Sequence, residues 1–120
     1  MGLTHMKCCL ETVDYENNKV IFTEAQRQQK VAKRPELRDD NFINGRLKQT
    51  INCPNFVYQD CDKPNSRKAF YLQEYVVNGR PRYTKVVVDF KKKPQFVITA
   101  YRPDYVKERS KTNLLYGHDN

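Results

Sequence analysis

The chain contains no tryptophan, only two histidines and only four glycines among 120 residues. His5 stands in the stretch MGLTHM, which reads as an expression remnant ahead of a natural start at Met6. His118 stands two residues from the end, where chains are ordinarily loose. Neither is a strong candidate for proton transfer. There is no Gly-rich phosphate loop, no G-x-S-x-G and no H-E-x-x-H. No apolar run approaches the roughly 18 residues of a membrane span. The N-terminus lacks the apolar core of a secretory signal. Together these absences point to the cytoplasm, or to delivery into a target cell's cytoplasm. The four cysteines, Cys8, Cys9, Cys53 and Cys61, have neither C-x-x-C nor histidine spacing. They read as structural thiols in a reducing compartment. Asp39 and Asp40, or Asp60 and Asp62, have the spacing of a metal pair, but cap and loop roles explain them better. No cofactor is implied.

What the chain has is positive charge. Its 22 basic residues against 14 acidic ones leave a formal +8, with a pI near 9.4. That balance favours a polyanionic partner, nucleic acid ahead of a membrane surface. A merely soluble basic protein is the plainer alternative. At 30% charged residues and a mean hydropathy of −0.88, a single domain spanning residues 1–120 must have a thin core.

Lys7 to Phe22 reads as a β-hairpin turning at Glu16-Asn17-Asn18. Thr23-Glu24-Ala25-Gln26 has the spacing of a capping box, which predicts a helix to Lys33, ended by Pro35. Asp39 to Asn52 reads as a second helix, with Ile43, Leu47 and Ile51 on one stripe. Strands follow: Phe56 to Gln59, a long run from Arg67, and an Asn78-Gly79 hairpin turn. Two more strands flank Lys91-Lys92-Lys93-Pro94. Leu114-Leu115-Tyr116 could add a last one, and residues 117–120 read as a loose tail. The expected fold is α+β, with the N-terminal hairpin and two helices packed on a twisted antiparallel sheet.

Alternation divides the strands around the lysine loop into two faces. Val86, Val88 and Phe90, with Phe96, Ile98 and Ala100, read as core. Lys85, Val87 and Asp89, with Val97, Thr99 and Tyr101, form a mixed face carrying amine, hydroxyl and phenol groups. A one-residue slip would re-pair the sets. Tyr71, Tyr75, Tyr83 and Tyr101 lie among Arg67, Lys68, Arg80, Arg82, Lys85 and Arg102. Aromatics among cations suit bases that stack and phosphates that pair. They equally suit the rim of a thin core with a solvated cationic face.

The succession KRPEL (33–37), INCPNFVYQD (51–60), NSRKAFYLQ (65–73), KVVVDF (85–90) and VITAYR (97–102) resembles the phage-type nucleases of the barnase–EndoU–colicin–RelE superfamily. The resemblance runs from about Phe22 to Tyr116. It implies a barnase/RelE-like fold and metal-independent RNA cleavage, in which the ribose 2′-OH attacks the adjacent phosphate. It also implies a toxin, a toxin–antitoxin component or a phage-borne module. An acidic antitoxin or immunity protein would then cover the Thr99–Tyr101 face. The resemblance further leads one to expect a histidine on the first helix, where the matching position is Gln29.

Two readings stand from here. In an endoribonuclease, Arg34 and Arg67 clamp phosphate and Lys85 adds charge. Thr99 donates to a phosphate oxygen, and Tyr101 or Tyr71 stacks on a base or relays a proton. Gln29, Lys30, Lys33, Tyr71 and Arg102 would contact RNA, and Glu36 is a candidate base. In a catalytically impaired RNA- or protein-binding module on the same fold, Gln29 is simply a helix residue.

Overall fold

The computed structural model of the protein describes residues 6–118. Apart from Met6, the leader reading of MGLTHM lies outside the described residues, as do the last two tail positions. The hairpin forms from β1 (Cys8–Val13) and β2 (Lys19–Thr23). Its turn is held by Asp14, whose Oδ1 accepts from the N–H groups of Glu16 at 2.9 Å and Asn18 at 2.8 Å. Asn17 takes φ 68°, which asparagine tolerates better than most residues.

Helix α1 (Glu24–Lys30) starts where the capping box places it, with Thr23 Oγ1 accepting from Gln26 N at 3.1 Å. It ends at Lys30, three residues before the expected Lys33. Arg34, forced out of the helical region by Pro35, has φ −127° and ψ 79°. Pro35–Arg38 then makes one 3₁₀ turn. Helix α2 is a continuous run in three parts: α-helical Asp40–Phe42, π-helical Ile43–Leu47 and α-helical Lys48–Asn52. Asp39 caps it by accepting from Asn41 N.

The remaining strands are β3 (Phe56–Gln59), β4 (Arg67–Val77), β5 (Arg80–Asp89), β6 (Gln95–Tyr101) and β7 (Leu114–Gly117). They join the hairpin in one seven-stranded sheet of order β1-β2-β6-β5-β4-β3-β7. The expected antiparallel sheet is in fact mixed, because β2 runs parallel to β6 through Val20–Gln95 and Ile21–Phe96. Asn78 and Gly79 both take positive φ, 52° and 77°, as a tight β4–β5 hairpin requires.

Helix α2 covers one sheet face, while α1, which buries none of its residues, lies against β1, β2 and β6. Phe42, Ile43, Leu47 and Ile51 pack there on Val20, Phe22, Val57, Phe70, Val86, Val88, Val97 and Ala100. The other face carries a smaller cluster of Phe56, Tyr58, Ala69, Tyr71, Tyr83 and Val106. The face assignment around β6 holds at one end only. Val86 faces Ala100 and Val87 faces Thr99, but Val88 faces Val97. Ile98 is therefore an extra residue, a β-bulge. Beyond it the faces exchange: Val97, expected on the mixed face, is core, and Ile98, expected in the core, faces the other way.

Gly117 closes β7 at φ 86°, and a Cβ there would lie 2.1 Å from the Asn55 carbonyl oxygen. Gly117→Ala is expected to combine that backbone clash with a left-handed penalty of about 1–2 kcal/mol. The loss should appear as faster amide exchange along the β3–β7 ladder, with β4 and β5 unchanged. Protection equal to that of the parent would refute it.

Candidate nucleic-acid interface

Two rows of side chains cross the second face of the sheet. Backbone pairing aligns Phe56, Tyr71, Lys85 and Tyr101 in one row, and Tyr58, Ala69, Val87 and Thr99 in the next. Where the rows meet β6 a cleft of about 160 Å³ opens. Its walls are Lys30, Arg34, Asp60, Asp62, Arg67, Lys85, Val87, Ile98, Thr99, Tyr101 and Lys107. Arg34, Arg67, Lys85, Thr99 and Tyr101, drawn from four separate stretches of the sequence, thus share one cleft.

The path of α1 explains how a helix reaches this face. β2 pairs with β6 only at Gln95 and Phe96, so the rest of that β6 edge is free. Gln26 takes it over, its Nε2 donating to the Ile98 carbonyl at 2.6 Å. Lys30, one turn later on the same side of α1, comes to the cleft. The chain then bends at Arg34, whose guanidinium lies 3.8 Å from the centroid of the Tyr101 ring. That stacking fixes the plane of the guanidinium and leaves its edge free for hydrogen bonds.

Five cations and two carboxylates line the cleft, and their pairing is unequal. Asp60 is buried, and its Oδ2 accepts from the N–H groups of Asp62 and Lys63, so it shapes the loop. Asp62 pairs with Lys107 at 3.3 Å, and that hydrogen bond raises the Lys107 pKa above its ordinary value. Lys85 pairs with Glu108 at 2.9 Å, the two side chains being 3% and 0% exposed. Among the described residues Lys30, Arg34 and Arg67 make no ion pair. Thr99 Oγ1 is buried without a hydrogen-bond partner.

Several expected residues stand elsewhere. Tyr71 is fully buried and its hydroxyl donates to Glu108 Oε1, so it cannot stack on a base. Burial, then the hydrogen bond to Glu108, pushes its pKa far up and keeps it a proton donor. Gln29 and Lys33 are exposed and do not line the cleft. Glu36 and Arg102 line a separate hollow. His118 is exposed beyond β7, and among the described residues no histidine lines the cleft.

Arg102 is held from behind by Glu74, a side chain only 1% exposed. Glu74 accepts from Arg102 Nε at 2.9 Å and Nη2 at 2.6 Å, from Thr84 Oγ1 and from Arg46 Nε. Burial pushes its carboxyl up, but the hydrogen bonds from Arg102, Thr84 and Arg46 outweigh burial and hold it below its ordinary 4.5. With a depressed folded pKa, the unfolded chain binds more protons, so stability rises with pH. The contribution is complete above the ordinary carboxylate value and disappears as pH falls through the folded one. Glu74→Gln should therefore cost stability at pH 7 and approach the parent in acid. Parallel pH–stability curves from urea unfolding would contradict this.

Glu108 and Lys107 were not singled out from sequence. They sit in DYVKERSKTN, where neither period shows. The segment folds as a turn, with Lys111 N and Thr112 N donating to the Glu108 carbonyl, so no strand or helix period could mark Glu108.

No family model, no curated protein and no solved structure matches the chain, so the cleft's chemistry rests on its own geometry.

Proposed function

We propose that the protein binds single-stranded RNA through this cleft and cleaves it as a metal-independent endoribonuclease, in a toxin or phage-borne setting. The observation that carries the reading is the convergence of three cations lacking ion pairs, Lys30, Arg34 and Arg67, around the orphan hydroxyl of Thr99. Cations held together without ion-pair partners repel one another, and a buried hydroxyl without a partner costs about 1–3 kcal/mol. A phosphate answers both, accepting from the hydroxyl and from the two planar forks. The same donors would stabilise the extra charge of a pentavalent phosphorane formed by 2′-OH attack. Lys30 and Tyr101 are the cleft groups in this reading that could exchange protons with the attacking and leaving oxygens.

A second reading is favoured by a specific observation. Among the described residues no histidine lines the cleft, and Lys85 is already bound by Glu108. A module that binds RNA without cutting it needs only the cations and the hydroxyl.

Incubating the purified protein with a labelled single-stranded RNA, with and without chelator, tests both. Cleavage that persists in chelator and leaves 2′,3′-cyclic phosphate ends supports the nuclease. Salt-dependent binding without cleavage supports the module, and no binding at low salt removes both. Gln29→His serves as an internal check. Gln29 lies outside the cleft wall, so this change should leave cleavage and its pH profile unaltered. Lys30→Ala should lower cleavage by about 10-fold or more if Lys30 transfers a proton.

A further inference from the structure

Two of the lysines lining the cleft hold a carboxylate, and their circumstances differ. Lys85 and Glu108 are 3% and 0% exposed, and Glu108 also accepts from the Tyr71 hydroxyl. Drawing that ammonium away would strand a charge inside the sheet's second face, so the pair is fixed. Lys107 and Asp62 meet at 3.3 Å with side chains 39% and 72% exposed. Neither makes another ion pair among the described residues. Exposed pairs of this kind contribute little to stability, because water solvates either partner when the other leaves. Lys107 is therefore able to change partners, and Lys85 is not.

The backbone around Lys107 is nevertheless anchored. On one side Val106 is buried in the cluster with Tyr71 and Tyr83, and on the other Glu108 is buried. The Lys107 carbonyl accepts from Cys61 Sγ at 3.6 Å. The ammonium is thus a movable charge on a fixed base at the cleft wall. Of the two carboxylates in that wall, Asp60 holds the N–H groups of Asp62 and Lys63, and Asp62 holds Lys107.

We infer that Lys107 is a further phosphate-binding residue, held by Asp62 in the free protein and passed to the phosphate when RNA enters. The inference rests on the nucleic-acid reading of the cleft. Lys30, Arg34 and Arg67 draw the phosphate in, and it then competes with Asp62 for the same ammonium. The released carboxylate turns to water. Asp62 thus lines a binding cleft and weakens binding, because RNA must displace it. The two members of one ion pair have opposite effects on affinity.

The test is fluorescence anisotropy with the full protein and a labelled 2′-O-methyl oligouridine, which cannot undergo 2′-OH attack, so binding is read without cleavage. Asp62→Asn should bind about 10-fold tighter than the parent at low salt, the worth of one charged hydrogen bond gained. Its salt dependence should steepen by about 0.7, one further phosphate charge on a single strand. Lys107→Ala should bind about 10-fold more weakly. With Lys107→Ala already present, Asp62→Asn should add about twofold at most, since no ammonium is left to release. Glu11→Gln breaks the comparable exposed pair with Lys19 on β1 and should stay within about twofold of the parent. If the Asp62–Lys107 pair merely ties two loops together, both single variants shift affinity the same way, and that result overturns the exchange. Asp62→Asn binding no tighter than the parent also overturns it, as does Glu11→Gln tightening binding equally. Arg67→Ala separates the two levels of the reading. If it weakens binding while Asp62→Asn changes nothing, only the exchange fails. If Arg67→Ala binds as tightly as the parent, the cleft reading fails and the exchange with it.

Discussion

Replacing Glu108 by alanine is expected to remove about 3–5 kcal/mol of folding stability, a large share of the roughly 5–15 kcal/mol a domain has. Glu108 is fully buried and accepts from both Lys85 Nζ and the Tyr71 hydroxyl. Without it an ammonium and a phenol lose their partner inside the sheet's second face, and a buried charge left alone is far costlier than a buried pair is beneficial. Urea unfolding followed by tyrosine fluorescence gives the number. Glu108→Gln should cost less than Glu108→Ala, because the amide oxygen still accepts one hydrogen bond. The double change Lys85→Met with Glu108→Leu removes both charges and should recover much of the loss. A Glu108→Ala protein as stable as the parent would mean that water, not protein, solvates Lys85.

Removing Arg34 and Arg67 together should weaken RNA binding by about 100-fold at low salt, taking about 1.5 kcal/mol for each charged hydrogen-bonding contact. The salt dependence should also become shallower by about 1.4, two phosphate charges at about 0.7 each for a single strand. The control is Lys91→Ala with Lys92→Ala, which removes the same charge from the exposed β5–β6 loop, away from the cleft. If both double variants lose affinity equally, attraction is a property of the overall +8 charge and the cleft has no special part in it. Both arginines are partly exposed and neither is in the core, so a folding defect is not expected to confuse the comparison. Circular dichroism of each variant checks that.

Much of the fold could be read residue by residue because its signals are local. Thr23 with Gln26, Asp39, and Asn78-Gly79 act through their own neighbours, and the elements they mark begin or turn where they place them, whereas α1 stops at Lys30, short of the end expected from Pro35. Three features are not local. The parallel β2–β6 contact joins residues far apart and leaves no mark in either strand. The bulge at Ile98 is hidden because FVITAY alternates without a break, and the extra residue shows only against the register of β5. The π turn at Ile43–Leu47 is hidden because its apolar spacing is helical in either form. For the site, strand alternation brought Lys85, Thr99 and Tyr101 to one face, because the pairing at that end is regular. Tyr71 shares the face, yet burial under Val106 and Glu108 takes it out of reach. Gln29 and Lys30 are one residue apart, and only the Gln26–Ile98 contact decides which of them meets the cleft.

The parallel contact between β2 and β6 also sets an order of events for a chain made from its N-terminus. The hairpin and both helices leave the ribosome with no further strand beside them, and Val20, already paired with Thr12, must wait for Gln95 on its other side. Until then the apolar stripe of Ile43, Leu47 and Ile51 has little to cover. Arg34 emerges early and Arg67 past the midpoint, but Thr99, Tyr101 and Lys107 come almost last. The nascent protein therefore carries its cations as scattered charges for most of its synthesis, and the cleft assembles only when translation of this stretch is nearly finished.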